Sequence, residues 1–300
     1  MSKIVKTNIT GIGDPSILCE NDTFYMYATN TGCKDFHCFT SKDGVNFVDS
    51  GVVLANEDSF GTDRFWAPEI YKYKNNYYLF YSAGANDGLM HVQVAISNSP
   101  LGPFKDIKKE PLINFKDKST IDAHLFIDDD ERKYLFYSLD CSTNVINNIH
   151  TSQIYACEIN NTFDEVISDH IFISTPSREW EFYSGDSWRW NEGPNLLKHK
   201  GKYYLTYSTN LYASREYCVG CYISDNILGP YKLMKDEPIL NYIENEISGP
   251  GHNFFFKDFN GKLKVAFHIH TDYEKPSGNR RACYCDAYFD ENDLLIIDYK

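Results

Sequence analysis

The chain has 300 residues, a formal net charge of −13, 42% hydrophobic residues and 24% charged residues, a composition typical of globular proteins. No basic run is longer than a few residues and no apolar run approaches the length of a transmembrane helix, so nucleic acid and membranes are not expected partners. Aromatic residues make up 16% of the chain, including 23 Tyr and 20 Phe, which favours β-structure.

Five segments along the chain share one pattern: a small or proline-containing start, an apolar strand, a polar turn and an aromatic-rich strand. They begin at Asp14, Ala67, Ile121, Gly193 and Gly249. The turns contain residues suited to hairpins, such as Lys200-Gly201 and Asn260-Gly261. When the units are aligned at their starts, five residues occupy equivalent positions: Pro15, Pro68, Ala123, Pro194 and Gly251.

Repeats of about 55 residues with four short strands are typical of propeller blades. No segment shows sustained helical spacing of apolar residues with caps, and a two-domain β-sandwich would not produce five equivalent starts. The sequence therefore predicts an all-β fold, with one five-bladed β-propeller domain over residues 1–300. Only the third unit carries a long insertion, within residues 138–192.

Three of the five units carry a carboxylate at their start or directly beside it, namely Asp14, Asp122 and Glu192. The first strand of each propeller blade lies against the central axis, so we expect these side chains to converge at one mouth of the channel. A single acid at a strand start commonly caps a turn. Three at matched positions favour a catalytic site, because glycoside hydrolysis needs one carboxylic acid and one carboxylate base.

At these residues the chain resembles glycoside hydrolase family 43, and the resemblance spans all five units. The motifs that carry it are GDPS (13–16), FWAPE (65–69), TIDAHLF (120–126), NEGP (191–194), GPGH (249–252), LGPF and LGPY. The resemblance implies an inverting mechanism in which Asp14 is the general base and Glu192 the general acid. It also implies that Asp122 holds Glu192 in position and raises its pKa by like-charge repulsion.

The resemblance also implies roles for other residues. Trp66 would form a wall of the sugar pocket, although a core position is an alternative. Arg281 would reach sugar hydroxyls; Arg280 could do so instead, and either could be a surface ion-pair partner. His252 matches a histidine near the channel axis that is associated with calcium, or it could satisfy a buried hydrogen bond. His124 replaces a small residue of the family motif and receives no role.

The insertion carries Trp180, Trp188 and Trp190 shortly before Glu192. Loops on a rigid scaffold often set specificity, so these rings are candidates for subsites beyond the cleaved bond. The nine cysteines are an odd number and include one lone CxxC at Cys218. We interpret them as structural thiols, because a free cysteine mostly behaves as a small hydrophobic residue.

The sequence therefore predicts an exo-acting β-xylosidase or α-L-arabinofuranosidase that acts on short oligosaccharides without an organic cofactor. The N-terminal MSKIVKTNITGIGDPS lacks the apolar stretch of a secretory signal, which favours the cytoplasm. An endo-arabinanase, a catalytically silent carbohydrate-binding propeller and a protein-interaction propeller are the alternatives. The preference for xylose or arabinose, the choice between exo and endo action and the oligomeric state stay open.

Overall fold

The structure, a computed structural model, describes residues 3–183, 185 and 187–300. Its regular elements are β-strands and two short 3₁₀-helices, at Asn56–Asp58 and Glu179–Glu181. Within the described ranges, no helix is both long and apolar enough to cross a membrane.

The strands form five large sheets in chain order. The chain begins with β1 (Val5–Thr10), which joins the last sheet. The first sheet contains β2 (Ile12–Glu20), β3 (Thr23–Asn30), β4 (Phe36–Ser41) and β5 (Val48–Leu54). The second contains β6 (Asp63–Tyr73), β7 (Asn76–Gly84), β8 (Met90–Ser97) and β9 (Lys105–Asp106).

The third unit is the one with the insertion. It runs through β10 (Thr120–Ile127), β11 (Lys133–Leu139), β12 (Val145–Ile146), β13 (Ile149–Thr151), β14 (Gln153–Ile159) and β15 (Ile171–Ser174). The third sheet is formed by β10, β11, β14 and β15. The two remaining strands pair with β16 (Trp188–Arg189) in a small separate sheet.

The fourth and fifth sheets complete the fold. The fourth contains β17 (Asn191–His199), β18 (Lys202–Thr209), β19 (Cys218–Ser224) and β20 (Lys232–Leu233). The fifth contains β21 (Gly251–Lys257), β22 (Leu263–His270), β23 (Arg280–Phe289), β24 (Leu295–Asp298) and β1. Strands β1 and β24 both pair with β23, so the two ends of the chain complete one blade.

The sheets are arranged in a ring. The first strands of neighbouring sheets contact one another, and β21 contacts β2, which closes the circle. The five sheets coincide with the five sequence units, which confirms the predicted all-β propeller fold. Buried apolar residues lie between each sheet and the next; between the first two sheets, for example, Phe36 of β4 packs edge-on against Tyr81 of β7 with ring centroids 5.5 Å apart. This packing explains the high aromatic content of the second strands.

The first strand of every sheet is interrupted by a β-bulge, which shifts its pairing with the second strand. The residue at the bulge has a left-handed backbone in all five cases: Asp14, Ala67, Asp122, Gly193 and His252. Bulges re-aim side chains and recur next to active sites. Here they turn the start of each inner strand towards one mouth of the ring.

Candidate active site

The predicted carboxylates converge on one cavity of about 870 Å³ at the mouth of the ring. Its lining includes the three acids together with residues from the same part of other inner strands, namely Asp14, Asp122, Glu192, Trp66, Ile121 and His252. Asp14 and Asp122 occupy the bulge itself, whereas Glu192 lies one residue before it. The expected match of Gly251 with Pro15 is wrong by two residues, because the bulge of the fifth unit falls at His252.

Asp14 is held as a carboxylate by the groups around it. The Arg280 guanidinium lies 2.8 Å from its Oδ1, the Thr29 hydroxyl donates to its Oδ2 at 2.6 Å, and the His252 ring lies 3.5 Å away. Burial alone would raise the pKa of Asp14, but Arg280 and then His252 outweigh burial and hold that pKa well below its usual range. Asp14 can therefore accept a proton over a wide range of pH.

Arg280, and not Arg281, faces the cavity. Arg280 is one of its lining residues and pairs with Asp14. Arg281 is the next residue on β23, so its side chain points to the opposite face of the sheet. The placement predicted for Arg281 is wrong for that reason. A Cβ at Gly13 would collide with the Arg280 guanidinium, which explains the glycine before Asp14.

Asp122 is tied to the backbone beside Glu192. In four of the five sheets, the N–H of the bulge residue donates to a side chain on the second strand of the preceding sheet. These acceptors are Thr29, Ser82, Ser208 and, across the ring closure, His268. In the remaining sheet the N–H of Gly193 donates instead to Oδ2 of Asp122 at 3.0 Å. The hydroxyl of the serine at the matching position, Ser138, has no hydrogen-bond partner among the described residues.

Glu192 is held as a carboxylic acid. Removal of its carboxyl from water raises the pKa of Glu192 well above the usual value, and repulsion from Asp122 and then Asp140 adds to this shift. The Tyr217 hydroxyl donates to Glu192 Oε1 at 3.2 Å and acts in the opposite direction. Burial also raises the pKa of Asp122, while His252 opposes that shift. The cavity therefore combines an acid whose pKa is lowered, Asp14, with an acid whose pKa is raised, Glu192.

Sequence reasoning missed Asp140 and Tyr217. Asp140 directly follows β11, lines the cavity as a fourth carboxylate and accepts the backbone N–H of Ser142 at 2.8 Å. Its only indication in the sequence is a polar residue at the end of an aromatic strand. Tyr217 lies under Glu192 and stacks on His268 with ring centroids 5.4 Å apart. Nothing in its local sequence distinguishes it from a core tyrosine.

Three of the four tryptophans line the cavity: Trp66, Trp188 and Trp190. Trp180 does not, because it packs against Tyr207 between the third and fourth sheets. The nine cysteines are free, and Cys218 and Cys221 are buried in β19. Burial raises the pKa of both of these thiols, as expected for structural residues.

The surroundings of His252 do not fit a calcium ion. Calcium takes six to eight oxygen ligands, whereas the ring of His252 faces Asp14, whose charge is already balanced by Arg280. Among the described residues, no group of three or more His, Cys, Asp or Glu side chains is arranged to hold a metal.

His124 belongs to a buried polar cluster on the inner strands of the ring. Its Nε2 accepts the backbone N–H of Leu196 at 3.0 Å, so Nδ1 carries the proton and donates to Glu69 at 2.9 Å. Asn195 donates to the other oxygen of Glu69, and all three side chains are buried. This cluster joins the first strands of three sheets, and each member lies two residues after the bulge residue of its strand.

A comparison with family models matches residues 9–294 to the model of glycosyl hydrolases family 43. The sequence is 27% identical over 223 residues to an extracellular exo-α-(1→5)-L-arabinofuranosidase of Streptomyces chartreusis, covering 71% of this chain and 65% of that protein. The chain thus spans just under two thirds of that relative's length. It is also 27% identical over 239 residues to xylosidase/arabinosidase 43A of Humicola insolens, covering 65% of this chain and 72% of that protein.

Solved structures share the fold over almost the whole chain. One, described as a thermostable family-43 glycoside hydrolase, has a TM-score of 0.92 and 41% sequence identity, with 97% of this chain and 94% of that chain covered. Another, an endo-1,4-β-xylanase from Bacteroides thetaiotaomicron VPI-5482, has a TM-score of 0.84 and 31% identity, with 98% and 96% covered.

Proposed function

Because this chain belongs to glycosyl hydrolases family 43, we propose that it is an inverting, exo-acting glycosidase that releases a pentose from short xylo- or arabino-oligosaccharides. The observation that carries the proposal is the convergence of two acids in one cavity whose surroundings shift their pKa values in opposite directions, down for Asp14 and up for Glu192. Relatives named as arabinofuranosidase and xylosidase/arabinosidase support a β-xylosidase or α-L-arabinofuranosidase activity.

In the proposed reaction, Glu192 gives its proton to the glycosidic oxygen as the bond between that oxygen and the anomeric carbon breaks. Asp14 takes a proton from a water molecule, whose oxygen forms the new bond to the anomeric carbon from the opposite face of the sugar. An inverting enzyme needs about 6.5–9.5 Å between the two carboxyl groups to admit this water. Exchange of protons with solvent then restores both acids for the next cycle.

Asp122 acts through Glu192 in this scheme. Its hydrogen bond from Gly193 fixes the backbone next to the acid, and its charge keeps the proton on Glu192 until the leaving oxygen takes it. Arg280 holds Asp14 in place and keeps it ionised. Arg280 also lines the cavity, so we include it with Trp66 among the residues that bind the sugar.

The proposal is tested by comparing wild type with Asp14→Asn and Glu192→Gln on xylobiose, an arabino-oligosaccharide and aryl pentosides. Each variant should lose about 10²–10⁴-fold of the activity on the oligosaccharides. Glu192→Gln should keep more of its activity on aryl pentosides than on oligosaccharides, because aryl leaving groups need little protonation. Asp14→Asn should lose activity on both kinds of substrate. Glu181→Gln is the matched control: Glu181 is also buried with a raised pKa but lies outside the cavity, bonded to Tyr207, and its variant should retain activity.

Product analysis separates the alternatives. Release of single pentoses with inverted configuration, seen by NMR in the first minutes, supports the proposal. A first product mixture of shorter oligosaccharides would indicate endo action, as the name of the Bacteroides thetaiotaomicron relative suggests. Sugar binding without turnover of any substrate would indicate a silent carbohydrate-binding propeller.

A further inference from the structure

The small sheet in the third unit holds a row of aromatic rings. Strands β13 and β16 pair in parallel and place His150 opposite Trp188. Their rings stack with centroids 4.0 Å apart and an angle of 11° between planes. The ring of Trp190 follows 6.2 Å from Trp188 at an angle of 17°. We call these three residues the aromatic row.

The row is directed into the cavity by strand geometry. Trp188 and Trp190 both line the cavity that contains Asp14 and Glu192. Arg189, between them, points the other way, where its guanidinium lies 3.9 Å from the centre of the Phe182 ring. Residues two apart on an extended chain share a face, so the alternation around Arg189 fixes both indoles on the cavity side.

The row is not part of the core that stabilises the blades. None of its three members belongs to the buried apolar clusters between the sheets, as far as the described residues go. Trp188 is 39% exposed, and Trp190 is 9% exposed. His150 is oriented by contact of its Nδ1 with the carbonyl oxygen of Cys141 at 2.9 Å. An exposed tryptophan supported from behind by another ring is a preformed flat surface for a ligand.

The position of the row identifies which part of a substrate would reach it. Glu192, which protonates the leaving oxygen in the proposed reaction, lies two residues after Trp190. The sugars that leave are attached to that oxygen, so they extend from the Glu192 side of the cavity. Asp14 and Arg280 line the same cavity from the first and fifth sheets, whereas Glu192 belongs to the fourth. From Trp190 to Trp188 the rings lead from beside the acid to the exposed rim.

We propose that the aromatic row of His150, Trp188 and Trp190 is a binding subsite for the leaving part of a linear pentose oligosaccharide. The apolar C–H faces of successive sugar rings pack on the indoles, and His150 keeps Trp188 in its orientation. This proposal rests on the proposed function, since it assigns the departing sugars to a place in the same cavity. It makes the enzyme selective for substrates longer than a disaccharide.

The test compares substrates that differ only in their leaving part. Wild type, Trp188→Ala, His150→Ala and the conservative Trp188→Phe are assayed on an aryl pentoside and on oligosaccharides of two to five sugars. Wild-type kcat/KM should rise with chain length. In Trp188→Ala it should fall about 10–100-fold on the longer oligosaccharides, by a much smaller factor on the aryl pentoside, and Trp188→Phe should recover part of the loss. Trp180→Phe is the control, because that ring is outside the cavity.

The outcomes separate this proposal from the proposed function. Equal losses on aryl pentoside and oligosaccharides, with wild type active, would overturn the subsite and leave the glycosidase assignment intact. If wild type hydrolyses no pentoside, the row is tested by binding alone, with tryptophan fluorescence of Glu192→Gln titrated with xylo- and arabino-oligosaccharides. Quenching that disappears when Trp188→Ala is added to that variant supports the subsite, and quenching that persists undiminished overturns it.

Discussion

Asp14 and Glu192 show how burial and charged neighbours shift the pKa values of two acids in opposite directions within one cavity. Arg280 and His252 lower the pKa of Asp14 against the effect of burial, whereas burial and then Asp122 raise that of Glu192. In a pH–rate profile, the fall in activity at high pH (the alkaline limb) reports loss of the proton from the general acid. The fall at low pH reports protonation of the general base. Activity should therefore extend well below the usual pKa of an aspartate and end where Glu192 ionises.

Replacing Asp122 by Asn should move the alkaline limb of kcat/KM to lower pH. The substitution removes the negative charge that raises the pKa of Glu192. The amide oxygen of Asn can still accept a hydrogen bond from the N–H of Gly193, so the 3.0 Å hydrogen bond of the wild type can be retained. The measurement is the profile of kcat/KM against pH on an oligosaccharide.

Tyr217→Phe is the control, because it should shift the alkaline limb of kcat/KM in the opposite direction. It removes the hydroxyl that donates to Glu192 and favours the ionised form, so the alkaline limb should move to higher pH. A general loosening of the site would shift both variants in the same direction. Such a result would contradict the assignment of Glu192 as the acid whose pKa these neighbours control.

At the scale of elements, the repeated bulge of the inner strand is the structure that builds the site. Each bulge N–H is bound by a side chain, which ties one sheet to the sheet before it. In the fourth sheet, the bulge N–H belongs to Gly193, the residue after Glu192, and it donates to the carboxylate of Asp122. The orientation of the acid is therefore coupled to the packing of one blade on the next.

Gly193→Ala tests this coupling. Gly193 has a φ of +55°, and a Cβ there would lie 3.2 Å from Nδ1 of His252. A left-handed alanine costs about 1–2 kcal/mol, and the crowded bulge should also displace the Glu192 backbone. We expect kcat/KM to fall at least about tenfold, since small misplacements in an active site can cost up to about 100-fold.

The control for that variant is Gly201→Ala in the hairpin turn of the same sheet. Gly201 has a φ of +76° and open space where a Cβ would stand. It should lose similar stability in urea unfolding but keep full activity. Equal activity in the two variants would show that the bulge does not position Glu192.

At the scale of the whole molecule, the ring is closed by both ends of the chain. Strand β1 pairs with β23 at Val5 and Lys6, and β24 pairs with another part of the same edge. The hydroxyl of Thr7 is buried and donates to the carbonyl oxygen of Ala282 at 2.9 Å. The fifth sheet is the one that carries Arg280 and His252, so closure also maintains the site.

Thr7→Val should therefore destabilise the protein by about 1–3 kcal/mol, because it leaves a buried carbonyl without its donor while keeping the side-chain shape. The midpoint of urea unfolding measures this change, with the m-value as a check on two-state behaviour. Thr271→Val removes a similar bond, to Asn279, at an exposed position and should cost less than about 0.5 kcal/mol. Equal costs would show that β1 adds no stability at the closure.

The five units, their strands and the convergence of Asp14, Asp122 and Glu192 were determined by the sequence alone. Alternating apolar residues and turn residues act over a few positions, so a hairpin is visible locally. Repetition of the hairpin five times then implied a ring, and the ring implied that equivalent positions meet. No contact between distant residues had to be known for this step.

Only the tertiary structure decided which neighbours complete the site. Neighbouring residues on a strand point to opposite faces, so the choice of Arg280 over Arg281 depends on how β23 pairs with β22, where Arg280 lies opposite His270. Asp140, Tyr217 and the aromatic row come from second strands, loops and the insertion, whose approach to Glu192 depends on how whole blades pack. Such contacts join residues far apart in the chain, and a local pattern carries no information about them.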